Sequence, residues 1–477
     1  MTDTTVQAKP IHHPLLISPV ASTLARLAAP NLIGMMASTA ISIAETAYIG
    51  HLGAEPLAAA ALVLPMIMLM GMMSAGGMGG GVSSAISRAL GAGLQLRAEV
   101  LARHAVVLGL GFGLTFTLLL TLFGHALFGL LGGRGGVLHQ AVIYSGIVFS
   151  FAAVLWLTNM LASVLRGSGN MVGPAIAMFS GAALQVVVGG VLCFGLFGLP
   201  RLGIVGVGIG QVSANAVVCA IMLILLHRRD ARVRLDLIGP LSREHFADIL
   251  KVGGPALLSP IQTIATTLVI TAIAARFGTQ TLAGYGIGSR LEFLMVPVAF
   301  SVGMASLPMV GLAIGAGDVA RARKVAWTAG AMGAIGLGTI GILLAIFPGA
   351  WAFIFTSDVG VRAATSLYLR TAGPFYVFFG LSLALYFSAQ GAGRIGGPLA
   401  AGTLRLAVVA IGGMLLVRAH APSWALFALV ALGMVIMGTT TAAAVALTPW
   451  TPRTAGGTGV LVGVAEPRAP HDPRSPT

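Results

Sequence analysis

Charge is what this chain has least of. Only 8% of its 477 residues are Asp, Glu, Lys or Arg, where an ordinary soluble domain carries about 25%. Cysteine is almost absent as well. Cys193 and Cys219 are the only two, and each sits alone in an apolar run, which excludes a disulfide framework and a thiolate metal site. The glycine runs SAGGMGGGVSS (74–84) and LGLGFGL (108–114) are not followed by Lys-Ser or Lys-Thr. The chain therefore lacks a GxxxxGK[ST] phosphate loop, and with it the nucleotide site of an ATP-driven pump. There is no HExxH, CxxC or nucleophile-elbow pattern, so nothing points to an enzyme, a cofactor or a metal. The start, MTDTTVQAKPIHHPLL, lacks the basic lead and short apolar core of a removable signal peptide.

What fills the chain instead is apolar sequence, at 57% of residues. The segments 167–200, 202–227, 252–275, 293–317, 325–357 and 419–452 hold no charged residue. A helix needs roughly 20 apolar residues to cross a bilayer. Charges and Gly/Pro clusters predict twelve spans, at 25–50, 57–87, 100–123, 139–165, 173–195, 203–226, 250–275, 282–313, 325–347, 362–390, 397–417 and 423–446. The expected fold is an all-α membrane protein whose lipid-facing partner is the bilayer. The formal charge of +14 would suggest nucleic acid in a soluble protein; here the basic residues lie mostly between spans, where they set topology. Most fall on the side of the termini and the central loop HRRDARVRLDLIGPLSREHFADILK (227–251), which places both termini in the cytoplasm of a cell with this protein in its inner (plasma) membrane. The Pro/Gly-rich end, 449–477, reads as a disordered tail.

The two halves repeat at an offset of 224 to 225 residues. Pro30 and HLGAEPLA (51–58) align with Pro255 and RFGTQTLA (276–283). LGAGLQLRAEVLA (90–102) aligns with IGAGDVARARKVA (314–326), and GSGNMVGP (167–174) with GAGRIGGP (391–398). Six spans per copy keep both copies in one orientation, so the repeats are parallel and related by an axis along the membrane normal. The expected domains are an N-terminal segment (1–24), an N-lobe (25–226), a linker (227–249), a C-lobe (250–448) and the tail.

Pro30, an acid fifteen residues later at Glu45, and then YIGHLGAEPLAAAAL together resemble the multidrug and toxic compound extrusion (MATE) family. The LGAG and IGAG turns, the LRGSGN loop (165–170) and the SAQGAGR loop (388–394) resemble it too, and the likeness covers about residues 20 to 447. It implies a pair of six-helix lobes that export organic compounds, as a monomer, in exchange for protons or sodium ions. The alternative from the same superfamily is a flippase for a lipid-linked saccharide. Neither requires nucleic acid or a nucleotide.

Glu45 is the residue the pattern singles out. It is the only acid between Arg26 and Glu55, and a charge at a span centre costs roughly 2.5–3.5 kcal/mol or more. Ser38, Ser42 and Glu45 share one helix face. The corresponding face of the second half is Thr263, Thr267 and Ile270, so the hydroxyls recur and the acid does not. This suggests a task performed once per molecule. The resemblance puts Glu45 where these transporters carry an Asp, while their fifth-span Asn-x-x-x-Asn or Asn-x-x-x-Asp is reduced here to Gln185 with Gly189, and their seventh-span acid to Gln262 and Thr263. The candidate coupling-ion residues are Glu45, Ser42, Asn159 and Gln185, with protons preferred to sodium. The candidate substrate cavity comprises Ser38, Gln262, Thr263, Thr267, Arg290, Glu292 and Arg405. Three arginines within spans, Arg290, Arg370 and Arg405, leave the charge of the solute open.

Overall fold

The computed structural model describes residues 14–450. Among them all regular structure is helical, as long apolar segments in lipid require, because only a helix satisfies every backbone N–H and C=O within one segment. Twelve spans follow in order: α1 (Val20–Gly50), α2 (Ala54–Gly91), α3 (Gln95–Leu130), α4 (Gly135–Ser150 plus Ala152–Gly167, bent by 45°), α5 (Val172–Phe194), α6 (Ile204–His227), α7 (Arg243–Arg276), α8 (Thr279–Gly315), α9 (Val319–Ile346), α10 (Val359–Gly391), α11 (Gly396–Arg418) and α12 (Ser423–Leu447). Each matches a predicted span. The largest departures are at α3, which runs from Gln95 to Leu130 rather than 100–123, and at α7, which begins at Arg243 rather than 250. Its first turn is capped by Ser242, which accepts from the His245 amide, and its charged sequence hid it in the linker. The tail beyond Trp450 lies outside the described residues.

The repeated motifs are helix stops. In LGAG, GSGN, IGAG and GAGR the second glycine of each, Gly93, Gly169, Gly317 and Gly393, takes φ of 76°, 88°, 79° and 71°, a region open to glycine at little cost. Each turn closes with the same six-residue bond: Leu94 N to Ala89 O at 2.9 Å, Asn170 N to Leu165 O at 3.0 Å, Asp318 N to Ala313 O at 2.9 Å and Arg394 N to Ala389 O at 2.8 Å. This is the left-handed stop that satisfies the last carbonyls of a helix. Where α9 and α10 begin, Asp318 and Asp358 accept from the Arg321 and Val361 amides at 2.8 and 2.7 Å, caps worth about 1 kcal/mol each.

The same pairs of spans pack in each half. In the first, α1 packs on α5, α3 on α4, and α5 on α6; in the second, α7 packs on α11, α9 on α10, and α11 on α12. Two six-helix lobes result, related by a pseudo-two-fold axis. The lobes meet through exchanged ends. The start of α1 places Val20, Leu24 and Ala28 in a core with Val302, Met309 and Val310 of α8. The start of α7 places Ile249 in the core of the first lobe. All these segments lie at the end of the molecule that carries the described termini and the central linker, so the lobes are closed against each other there.

Close crossings at that end depend on glycine. A side chain on Gly91 would strike the Leu312 backbone, one on Gly315 the Arg88 carbonyl, and one on Gly81 the Gly253 backbone. The SAGGMGGGVSS run is thus a packing surface. Its first residues fall in a π-helical turn inside α2, Met73–Met78, and such turns release backbone groups from the helical ladder. Gln390 of the other lobe answers two of them, donating from Nε2 to the Gly76 and Gly77 carbonyls at 3.1 Å each.

Candidate functional site

Glu45 stands near the far end of α1, facing α5. Gln185 lies on α5 one helix across, and its Nε2 donates to Glu45 Oε1 at 2.6 Å. Tyr144 of α4 is buried in the core of the same lobe. Ser42 lies one turn below Glu45, and its carbonyl accepts from Thr46 Oγ1 at 2.7 Å. The Ser38 side chain lies outside the described residues.

Asn159 does not meet Glu45. It follows the bend of α4, and its Nδ2 donates to Ser74 Oγ in the π turn of α2 at 2.7 Å. Gln262 is buried on the α7–α11 seam, donating to Thr403 Oγ1 at 2.7 Å and to the Leu399 carbonyl at 3.3 Å. Thr263 and Thr267 lie along an exposed face of α7 with their hydroxyls bonded back to the Ser259 and Thr263 carbonyls, a local bond that needs no tertiary partner.

Arg290 and Glu292 flank a break in α8, between the pieces Thr279–Ser289 and Glu292–Gly315, and they turn to different neighbours. The Arg290 guanidinium sits 5.6 Å from the centre of the Phe355 ring. Glu292 faces into the second lobe and accepts from Tyr376 Oη at 3.3 Å, and that hydroxyl is 2.9 Å from Tyr368 Oη. Arg405 is buried beside the same cluster, 5.6 Å from the Phe379 ring, with Nη1 3.5 Å from Met437 Sδ. No ion pair within 4.0 Å joins it to Glu292 among the described residues. Tyr368, Tyr376 and Ser74 escaped the sequence reading, because a hydroxyl in an apolar span carries no signal until its partner from a distant span is known.

The geometry is that of two lobes with buried polar groups, one acid–amide pair in the first and an acid–tyrosine cluster in the second. The MatE family model matches residues 30–191 and again 255–415, once in each half. The chain belongs to the MatE family. Among curated relatives, the FAD transporter of Shewanella oneidensis is 27% identical over 363 residues, covering 75% of this chain and 79% of that protein. The probable multidrug resistance protein NorM of Thermotoga maritima is 23% identical over 383 residues, covering 79% and 81%. The multidrug export protein MepA of Staphylococcus aureus is 27% identical over 279 residues, covering 57% and 60%. The structure of a MOP superfamily transporter from Pyrococcus furiosus superposes with a TM-score of 0.83 at 24% identity, over 91% of this chain and 97% of that one. An outward-facing multidrug resistance MATE family transporter superposes with a TM-score of 0.82 at 25% identity, over 91% and 96%. This MatE chain is thus a multi-pass membrane transporter rather than an enzyme.

Proposed function

We propose that this protein is a secondary active exporter that exchanges a small organic solute for protons, with Glu45 as the group that carries the proton. The observation that supports this reading is an asymmetry between the repeats. By the repeat offset, Glu45 and Gln185 correspond to Ile270 and Val409, both buried on the α7–α11 seam of the second lobe. A carboxylate needed to hold the lobe together would leave its counterpart seam deficient, yet Ile270 and Val409 pack there without one. An intramembrane acid present in one copy only fits a coupling role.

The partner of Glu45 favours protons over sodium. A sodium site needs oxygens converging on the cation, whereas Gln185 turns its N–H toward the carboxylate and Asn159 is engaged with Ser74. Linkage then supplies the mechanism: exported solute and proton must favour different lobe arrangements, or neither can drive the other. With the lobes closed at the end bearing the termini, we place that end in the cytoplasm and the solute path toward the opposite face. The FAD transporter among the relatives makes aromatic anions candidates beside the drugs that the names of the multidrug proteins NorM and MepA indicate.

The test is proton movement in everted membrane vesicles, followed with a pH-sensitive dye, against a panel of organic cations, zwitterions and aromatic anions. A solute should dissipate the gradient with wild type and, more slowly, with Glu45→Asp, but not with Glu45→Gln. Equal exchange by Glu45→Gln would remove the carboxyl from the mechanism.

A further inference from the structure

The repeat places two arginines where the first lobe places an aromatic contact. In the first lobe, the far end of the α1–α5 seam is closed by side chains: the Tyr48 and Phe194 rings lie 5.7 Å apart edge to face, and His51 and Phe194 6.4 Å apart. At the repeat offset, Tyr48 corresponds to Ile273, His51 to Arg276 and Phe194 to Arg418. The corresponding α7–α11 seam is not closed. It holds a cavity of about 540 Å³, floored by Val269, Ile273, Met414 and Val417 and rimmed by Arg276 and Arg418.

Both arginines are the last residues of their helices, at the membrane face opposite the termini. Both are exposed, and neither donates to a carboxylate or a carbonyl among the described residues. Two like charges on one rim repel each other, and the helix ends behind them offer only partial negative charge in return. Two unshared guanidinium groups on one rim attract an anion, and the floor below them is aliphatic and lies within the span.

We propose that this groove binds an anionic glycerophospholipid of the membrane, with the phosphate bridging Arg276 and Arg418 and an acyl chain lying along Ile273 and Met414. Guanidinium groups suit a phosphate, which they can grip through paired N–H donors, and the aliphatic floor sits at the depth an acyl chain occupies. The first lobe has His51 and Phe194 in these places in contact with each other, so the proposed lipid marks one lobe only.

Native mass spectrometry of the purified full chain, delipidated and then titrated with phosphatidylglycerol or phosphatidylcholine, tests this. Wild type should retain phosphatidylglycerol at least tenfold more tightly than phosphatidylcholine. Arg276→Gln with Arg418→Gln should lose that preference, and Arg276→Lys with Arg418→Lys should keep most of it. A second variant, Arg276→His with Arg418→Phe, installs the first lobe's own rim and should fold while losing the lipid, with a thermal unfolding midpoint that no longer rises on adding phosphatidylglycerol. Unchanged retention in both charge-removing variants would overturn the proposal. So would equal binding of phosphatidylcholine by wild type, or saturation of the site by glycerol phosphate alone, which would make it a site for a soluble anion.

Discussion

Glu45 and Ile270 hold the same place in two copies of one fold, and the difference between them is the most informative residue pair in the chain. The acid was legible because a single charge stands out in apolar sequence, and the repeat showed that packing does not require it. Its partner was legible only as a polar residue on α5; that the Gln185 amide reaches it at 2.6 Å depends on how two spans far apart in sequence cross. Replacing Gln185 with Leu removes a hydrogen bond to a charged group, worth about 1.5–3 kcal/mol. Exchange in the vesicle assay should fall about tenfold or more in Gln185→Leu while Asn159→Leu, which touches Ser74 and not Glu45, leaves the pH dependence of exchange unchanged. A matching shift from both variants would show that the two amides belong to one network.

At the scale of elements, the closed end is held by backbone crossings and a few polar ties. Gln390 donates to the Gly76 and Gly77 carbonyls, Arg97 of α3 pairs with Glu244 at 3.0 Å and with Asp248 of α7, and Ser84 of α2 donates to the Gln390 and Gly391 carbonyls. Each tie joins the first lobe to the second. Gln390→Leu leaves two buried carbonyls unanswered, a penalty of about 1–3 kcal/mol each that is borne only while the lobes are closed. Spin-label distances across the α2–α8 crossing should therefore lengthen and broaden in Gln390→Leu, while unlabelled overall stability in detergent changes little. Gly91→Val carries the stronger prediction. The added side chain meets the Leu312 backbone, so closure at this end, and with it transport, should be lost; wild-type transport by this variant would mean that the crossing opens by itself. Glycine spacing announced the turns in the sequence, since LGAG, GSGN, IGAG and GAGR recur, but not which glycine serves the turn and which the crossing. The start of α7 was missed for a related reason. Its charged first turns read as linker, and only the His104–Phe246 ring contact at 4.6 Å and the bond from Ser242 N to His104 Nε2 at 2.9 Å show them packed as helix against α3.

Across the whole molecule, the count of spans, the parallel repeat and the pairing of lobes were all in the sequence, because hydropathy and internal repetition are properties of the chain alone. The polar cluster of the second lobe was not. Glu292, Tyr368 and Tyr376 come from α8 and α10, and nothing in the order of residues says that a break at Arg290 turns the acid inward. One linkage underlies the proposed exchange: solute and proton compete through the lobe arrangement, with Glu45 as the titrating group. The most direct measurement is proton release on solute binding, made with purified protein in weakly buffered detergent solution containing a pH indicator, using a solute identified in the vesicle screen. Wild type should release close to one proton per solute bound and Glu45→Gln none, with solute affinity of the wild type alone rising as pH rises. Proton release of the same size from Glu45→Gln, or solute binding by wild type with no release at any pH, would contradict that linkage.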